Sequence, residues 1–190
     1  MKKILLSLSL VAFTAISFMG CSQQQQWNHQ QRKALREALK EYRKMVYLEN
    51  LTDAEFQLFT DEVASMVESA YPVYTAFIAM PGAADTVDVV VTEVIVEQLN
   101  ADPRNMRHLY PYRSLVAEGV LPAGLDYEQQ HSFYRCFAGK VNATYPSLTS
   151  FVNAVVADTT STSQIRQLES ECANTLFGWV ITEIDIMEVD

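Results

Sequence analysis

Glycine and proline are scarce in this chain, with six of each among 190 residues. That excludes a collagen-like repeat and argues against a low-complexity or loop-rich protein. Histidine is scarcer, at three, and the sequence holds neither His-Glu-x-x-His nor a cysteine pair at zinc-ligand spacing. Gly-x-Ser-x-Gly, Ser-x-x-Lys with its partner motifs, and a glycine-rich phosphate loop are also missing. No motif asks for a cofactor. Positive charge is in deficit: 14 Lys and Arg stand against 23 Asp and Glu, a formal net charge of −9. An acidic chain gains nothing from a phosphate backbone, so nucleic acid is excluded as a partner class. There is no internal repeat.

What is present begins at the amino terminus. Lys2 and Lys3 precede an uncharged, mostly apolar run from Ile4 to Met19. It falls short of the about 20 apolar residues that a membrane span needs, and it has the form of a signal-peptide core. The run ends at Phe18-Met19-Gly20-Cys21, which resembles the lipobox of bacterial lipoproteins. The resemblance covers residues 1–21 alone. It implies cleavage before Cys21, a diacylglyceryl thioether on that cysteine and a third acyl chain on the new amine. Each buried methylene contributes roughly 0.8 kcal/mol, so two or three chains give stable anchoring to a membrane. Ser22, not Asp, follows the anchor. By the sorting rule of such lipoproteins, that implies the outer membrane of the cell envelope. The expected organisation is a signal peptide over 1–20, a lipidated, Gln-rich tether over 21–26, and a single helical domain over 27–190.

Loss of Lys2 and Lys3 takes the formal charge from −9 to −11. The remaining charge is uneven. Arg32, Lys33, Arg36, Lys40, Arg43 and Lys44 crowd one early segment, whereas Glu183, Asp185, Glu188 and Asp190 lie in the tail. Near a lipid anchor the basic segment could touch anionic head groups or a polyanionic glycan. The plainer reading is a solvated helix face partnered by Glu37 and Glu41. With Cys21 lipidated, Cys136 and Cys172 remain, and an oxidising compartment favours a disulfide between them. The alternative is two buried thiols packing as small hydrophobes.

Helical periodicity dominates the rest, and the expected class is mostly α, a bundle of about five to seven helices. Leu35, Leu39, Tyr42 and Val46 mark a first helix from Trp27–Gln31 to about Leu48. Thr52-Asp53-Ala54-Glu55 reads as a capping box, followed by a stripe of Phe56, Phe59, Val63, Met66, Val67 and Ala70. Residues 87–96 hold many β-branched side chains, yet Asp88, Glu93 and Glu97 favour a helix. If 87–96 and 180–189 were both strands, they could pair and the class would become α+β. Asp102-Pro103 opens a short helical piece, and Asp126 with Gln129 caps another running to about Ala143, with Tyr127, Tyr134, Phe137 and Val141 inward. Pro146-Ser147 starts a helix holding Leu148, Phe151 and Val152. Ser161 and Gln164 could cap a last helix with a stripe of Ile165, Leu168, Cys172, Leu176, Val180 and Ile184.

Few residues point to chemistry. Arg104, Arg107, His108, Tyr110, Tyr112 and Arg113 cluster within ten positions. Forked guanidinium hydrogen bonds and ring stacking suit a carboxylate, phosphate or sugar. The competing reading is a proline-broken connector whose rings cap a core. Glu128 and His131 have Glu-x-x-His spacing, but a di-iron bundle needs that motif twice. Asp158-Thr159-Thr160 and Asp85-Thr86-Val87 resemble a short O-glycosylation sequon of exported bacterial proteins, with Thr159 the better placed. The anchor, the spacer and the missing catalytic set favour a non-enzymatic module that binds an envelope protein or glycan. The alternative is an envelope hydrolase, which requires a concave pocket with clustered ionisable groups.

Overall fold

The computed structural model describes residues 27–156 and 162–180. Cys21 and its tether, Thr159, Ser161 and the stretch 181–189 lie outside the described residues. Among those described, regular structure consists of nine α-helices and two 3-10 helices, with no strand. The mostly-α expectation holds. Six helices run nine residues or more, and the others are single turns or little longer. The described residues gather into two compact units, 27–43 with 53–91, and 44–52 with 92–156 and 162–180.

In the first unit, Asn28 and Gln31 form a reciprocal capping box that opens α1 (His29–Leu39). Just before it, the buried Trp27 donates from Nε1 to the Tyr71 carbonyl at 2.7 Å. Its ring sits edge-on to Tyr74 at 4.8 Å and against Phe77 at 5.5 Å. α1 packs on α3 (Asp53–Ala70). Ion pairs Arg32–Glu68, Arg36–Asp61 and Arg43–Asp53 step up one segment and down the other, so α1 and its continuation run antiparallel to α3. Phe59, Val63 and Val67 form the buried stripe of α3 as the periodicity predicts, while Ala70 is exposed. α4 (Tyr74–Ala79) supplies the buried Phe77.

The first helix stops earlier than its periodicity predicts. After Leu39 the backbone tightens to a 3-10 helix over Lys40–Lys44, turns extended at Met45, and resumes as α2 (Val46–Glu49). Leu39 is buried in the first unit, but Tyr47 and Leu48 are buried in the second. The helix breaks where the chain leaves one core for the other.

α5 (Ala83–Ala101) settles the ambiguous segment as helix. Val87, Val90, Val91, Val94, Ile95 and Leu99 are buried, at steps of three and four, and Val89 is 57% exposed. A strand would bury every second residue. Packing one face of a helix outweighs the modest β preference of Val and Ile.

The second unit is organised around α7 (Tyr127–Thr144), which packs on α9 (Thr162–Phe177), on the 3-10 helix Pro103–His108 and on α8 (Leu148–Val156). The Asp126–Gln129 capping box opens α7 as the sequence predicts. Its inner face is Phe133, Tyr134, Phe137, Ala138 and Val141; Tyr127, expected inside, is 64% exposed. Ser147 Oγ accepts from the Ser150 amide at 3.0 Å and starts α8. Cys136 of α7 and Cys172 of α9 form a disulfide, with Cα atoms 5.9 Å apart. α6 (Tyr112–Ala117) ends at Gly119, whose φ of +73° only glycine adopts cheaply. The chain then folds back, and the Val120 amide donates to the Leu115 carbonyl at 2.8 Å.

Candidate functional site

A groove of about 420 Å³ lies within the second unit. Small-molecule sites run from about 300 to 1,000 Å³. Its lining comes from α2, the 109–111 connector, α6 with Glu118, the end of α8, and α9. Val46, Leu109, Leu115, Val155 and Ile165 give it apolar walls, and Glu49, Glu118, Glu169 and Arg166 give it charge.

Local bonds hold this frame. Asn50 Nδ2 donates to the Val46 and His108 carbonyls at 2.9 and 3.0 Å. The ring Nδ1 of the buried His108 lies 3.3 Å from the Asn50 carbonyl oxygen. These bonds tie α2 to the 3-10 helix. Tyr110, which lines the groove, sits edge-on to Phe137 at 5.2 Å, and its carbonyl accepts from Tyr134 Oη at 2.8 Å. Burial raises the Tyr110 phenol above its ordinary range, with the Glu169 charge acting the same way.

Glu169 is the unusual group. It is 2% exposed, yet it lines the groove. Arg166 Nη1, one turn earlier on α9, is its ion-pair partner at 3.3 Å. That nitrogen is buried and makes no hydrogen bond, while Nη2 of the same guanidinium pairs with Glu118 at 2.6 Å. One cation is thus shared between two carboxylates. Burial pushes the Glu169 carboxyl up to about 7; Arg166 opposes the rise and Glu118 adds to it. Taking a carboxylate out of water disfavours its charged form, and a half-engaged guanidinium does not reverse this.

The cluster read from Arg104 to Arg113 does not converge on one place. Arg104 pairs with Asp102 at 2.5 Å and donates to Tyr127 Oη at 3.2 Å. Arg107 and Arg113 are exposed. His108 is buried beside Tyr47, ring to ring at 5.3 Å. Tyr112 Oη donates to the Pro122 carbonyl at 2.9 Å and accepts from the Leu125 amide at 3.0 Å, which fixes the α6–α7 connection. Of the six, Tyr110 is the one that lines the groove. His131 is half-buried against Tyr127, ring centroids 4.5 Å apart. Thr86 lies within α5, its hydroxyl bonded to the Gly82 carbonyl at 3.2 Å.

Glu49, Glu118, Arg166 and Glu169 belong to no sequence motif. Glu169 alone carried a signal. It sits four residues after Ile165 and three before Cys172, on the apolar face of a helix, where a carboxylate is costly. The basic segment is neutralised locally: Arg32, Arg36, Lys40 and Arg43 pair with Glu68, Asp61, Glu37 and Asp53. Among the described residues no three His, Cys, Asp or Glu side chains gather to hold a metal ion, and no helix is long and apolar enough to cross a membrane. No protein family, curated protein or solved structure matches the chain.

Proposed function

We propose that this chain is a lipid-anchored binding module of the bacterial cell envelope, held to the outer membrane through Cys21 and non-enzymatic. Its ligand, part of an envelope protein or glycan, would enter the groove of the second unit. The observation that carries the binding half is the groove itself, walled by apolar side chains and holding a buried, incompletely paired carboxylate. The lipobox-like Gly20-Cys21 supports the anchoring half. A photo-crosslinking residue in place of the exposed, groove-lining Ser114 should capture a reproducible envelope partner in intact cells. A variant that begins at Ser22, lacking residues 1–21, should leave the membrane fraction. Capture of nothing above background refutes the binding half, and membrane retention of the variant in mild salt refutes the anchor.

A second reading has a specific observation behind it. A carboxyl protonated near neutrality, in a cavity with two further carboxylates, is the kind of group a hydrolase uses as general acid. Turnover of an envelope glycan by the purified protein, abolished in Glu169→Gln, would establish that reading in place of binding.

A further inference from the structure

We propose that the groove of the second unit is a receptor for a primary ammonium on an apolar stem, the chemistry of a lysine side chain on a partner protein. The inference rests on the binding reading above and names its ligand class. Three carboxylates and one guanidinium line the groove, so its charge balance calls for one or two further cations. The need is sharpest at Glu169. The one guanidinium beside its carboxylate is shared with Glu118, and the nitrogen nearer Glu169, 3.3 Å away, makes no hydrogen bond. A carboxylate out of water gains most from a donor that brings positive charge and up to three N–H groups, which an ammonium supplies.

The walls decide what carries the ammonium. Leu115, Val155 and Ile165 offer methyl groups to a methylene stem. The hydroxyls of an amino sugar would lose water against those three side chains, a cost that a methylene stem does not carry. An anionic ligand would meet three carboxylates, of which Glu49 and Glu118 are exposed and Glu169 is buried. The one guanidinium cannot serve it, because Arg166 Nη1 is buried and Nη2 is taken by Glu118.

Binding must also respond to pH. The charged and titratable groups around Glu169 are Arg166 on its own helix, Glu118 after α6, Glu49 on α2, and Tyr110 and Tyr134 from the connector and α7. Neither tyrosine ionises below pH 8, since burial raises both phenols. An ammonium favours ionised Glu169, so its affinity should rise with pH until that carboxyl is deprotonated.

The test uses the protein from Ser22 onward and Nα-acetyl-lysine N-methylamide as probe, measured by calorimetry and by NMR shifts of α9 amides. Expected is saturable one-to-one binding at millimolar probe, at least roughly tenfold tighter at pH 8 than at pH 5. The Nε-acetylated probe, hexanoate and glucosamine should each bind at least about tenfold more weakly, and Glu169→Gln should flatten the pH dependence. Ser114→Trp, which fills the groove from an exposed position, should abolish binding without touching the buried carboxylate. Failure of the lysine probe to saturate overturns the proposal, as does equal binding by the acetylated probe, preference for glucosamine or hexanoate, or an unchanged pH profile in a folded Glu169→Gln protein. A partner crosslinked at position 114 together with failure of the lysine probe would sink the ammonium inference and leave the binding reading standing.

Discussion

At the scale of single residues, Glu169 ties stability to the site. Its carboxyl is raised from 4.5 to about 7 by burial, so the folded protein holds this proton more tightly than the unfolded chain. The sign follows from linkage. The stability contributed by the protonated form is fully present below pH 4.5 and is lost as pH rises to about 7. Above that the folded protein bears a constant cost of roughly 2–4 kcal/mol. Glu169→Gln removes the titration and keeps the shape. The variant should match the parent near pH 4 and exceed it by that amount at pH 8, read from urea midpoints at each pH. The comparison must be between the two proteins. Glu68 and Glu171 are lowered by hydrogen bonds from Arg32 and Lys140, and both lose their contribution as pH falls. A stability difference that stays constant from pH 4 to pH 8 would show that Glu169 does not titrate in this range.

At the scale of elements, the Cys136–Cys172 bond joins α7 to α9, the helix that carries Arg166 and Glu169. Closing its 36-residue loop lowers the entropy of the unfolded chain, by about 3–4 kcal/mol in the simple model. Replacing both cysteines by serine should therefore cost about that much in denaturant unfolding. The loss should appear without reductant, and added dithiothreitol should bring the parent down to the variant. Equal stability of parent and variant would mean that packing alone holds the two helices. The helices themselves were legible because their signals are local: the Asp126–Gln129 box, the Ser147 start, and the three-and-four spacing that beat β-branching in α5. The break after Leu39 was not legible, because it depends on which core takes Tyr47 and Leu48. The groove was hidden for a related reason. Glu49, Glu118 and Glu169 lie on three segments far apart in sequence, and only Glu169 stands out within its own helix.

At the scale of the whole molecule, charge decides how the protein can meet a membrane. Six basic residues crowd positions 32–44. Arg32, Arg36, Lys40 and Arg43 are paired with carboxylates, and Glu41 and Lys44 also have partners. Polybasic attraction to an anionic leaflet contributes about 1 kcal/mol for each uncompensated Lys or Arg, and little remains once the side chains are paired. The chain as a whole carries −9 and is repelled by such a surface. Lipid on Cys21 would then supply the attachment that the paired basic face does not. Trp27, pinned by its bond to the Tyr71 carbonyl, would hold the first unit within six residues of that lipid, about 20 Å at full extension. The protein from Ser22 onward should accordingly stay in the supernatant when sedimented with phosphatidylglycerol-rich vesicles, even at low salt. Adding back a lipidated Cys21 should move it to the pellet in a salt-independent way. Salt-sensitive co-sedimentation of the unlipidated protein would instead identify the α1 face as a membrane contact, because screening weakens exposed charge attraction and leaves acyl insertion intact.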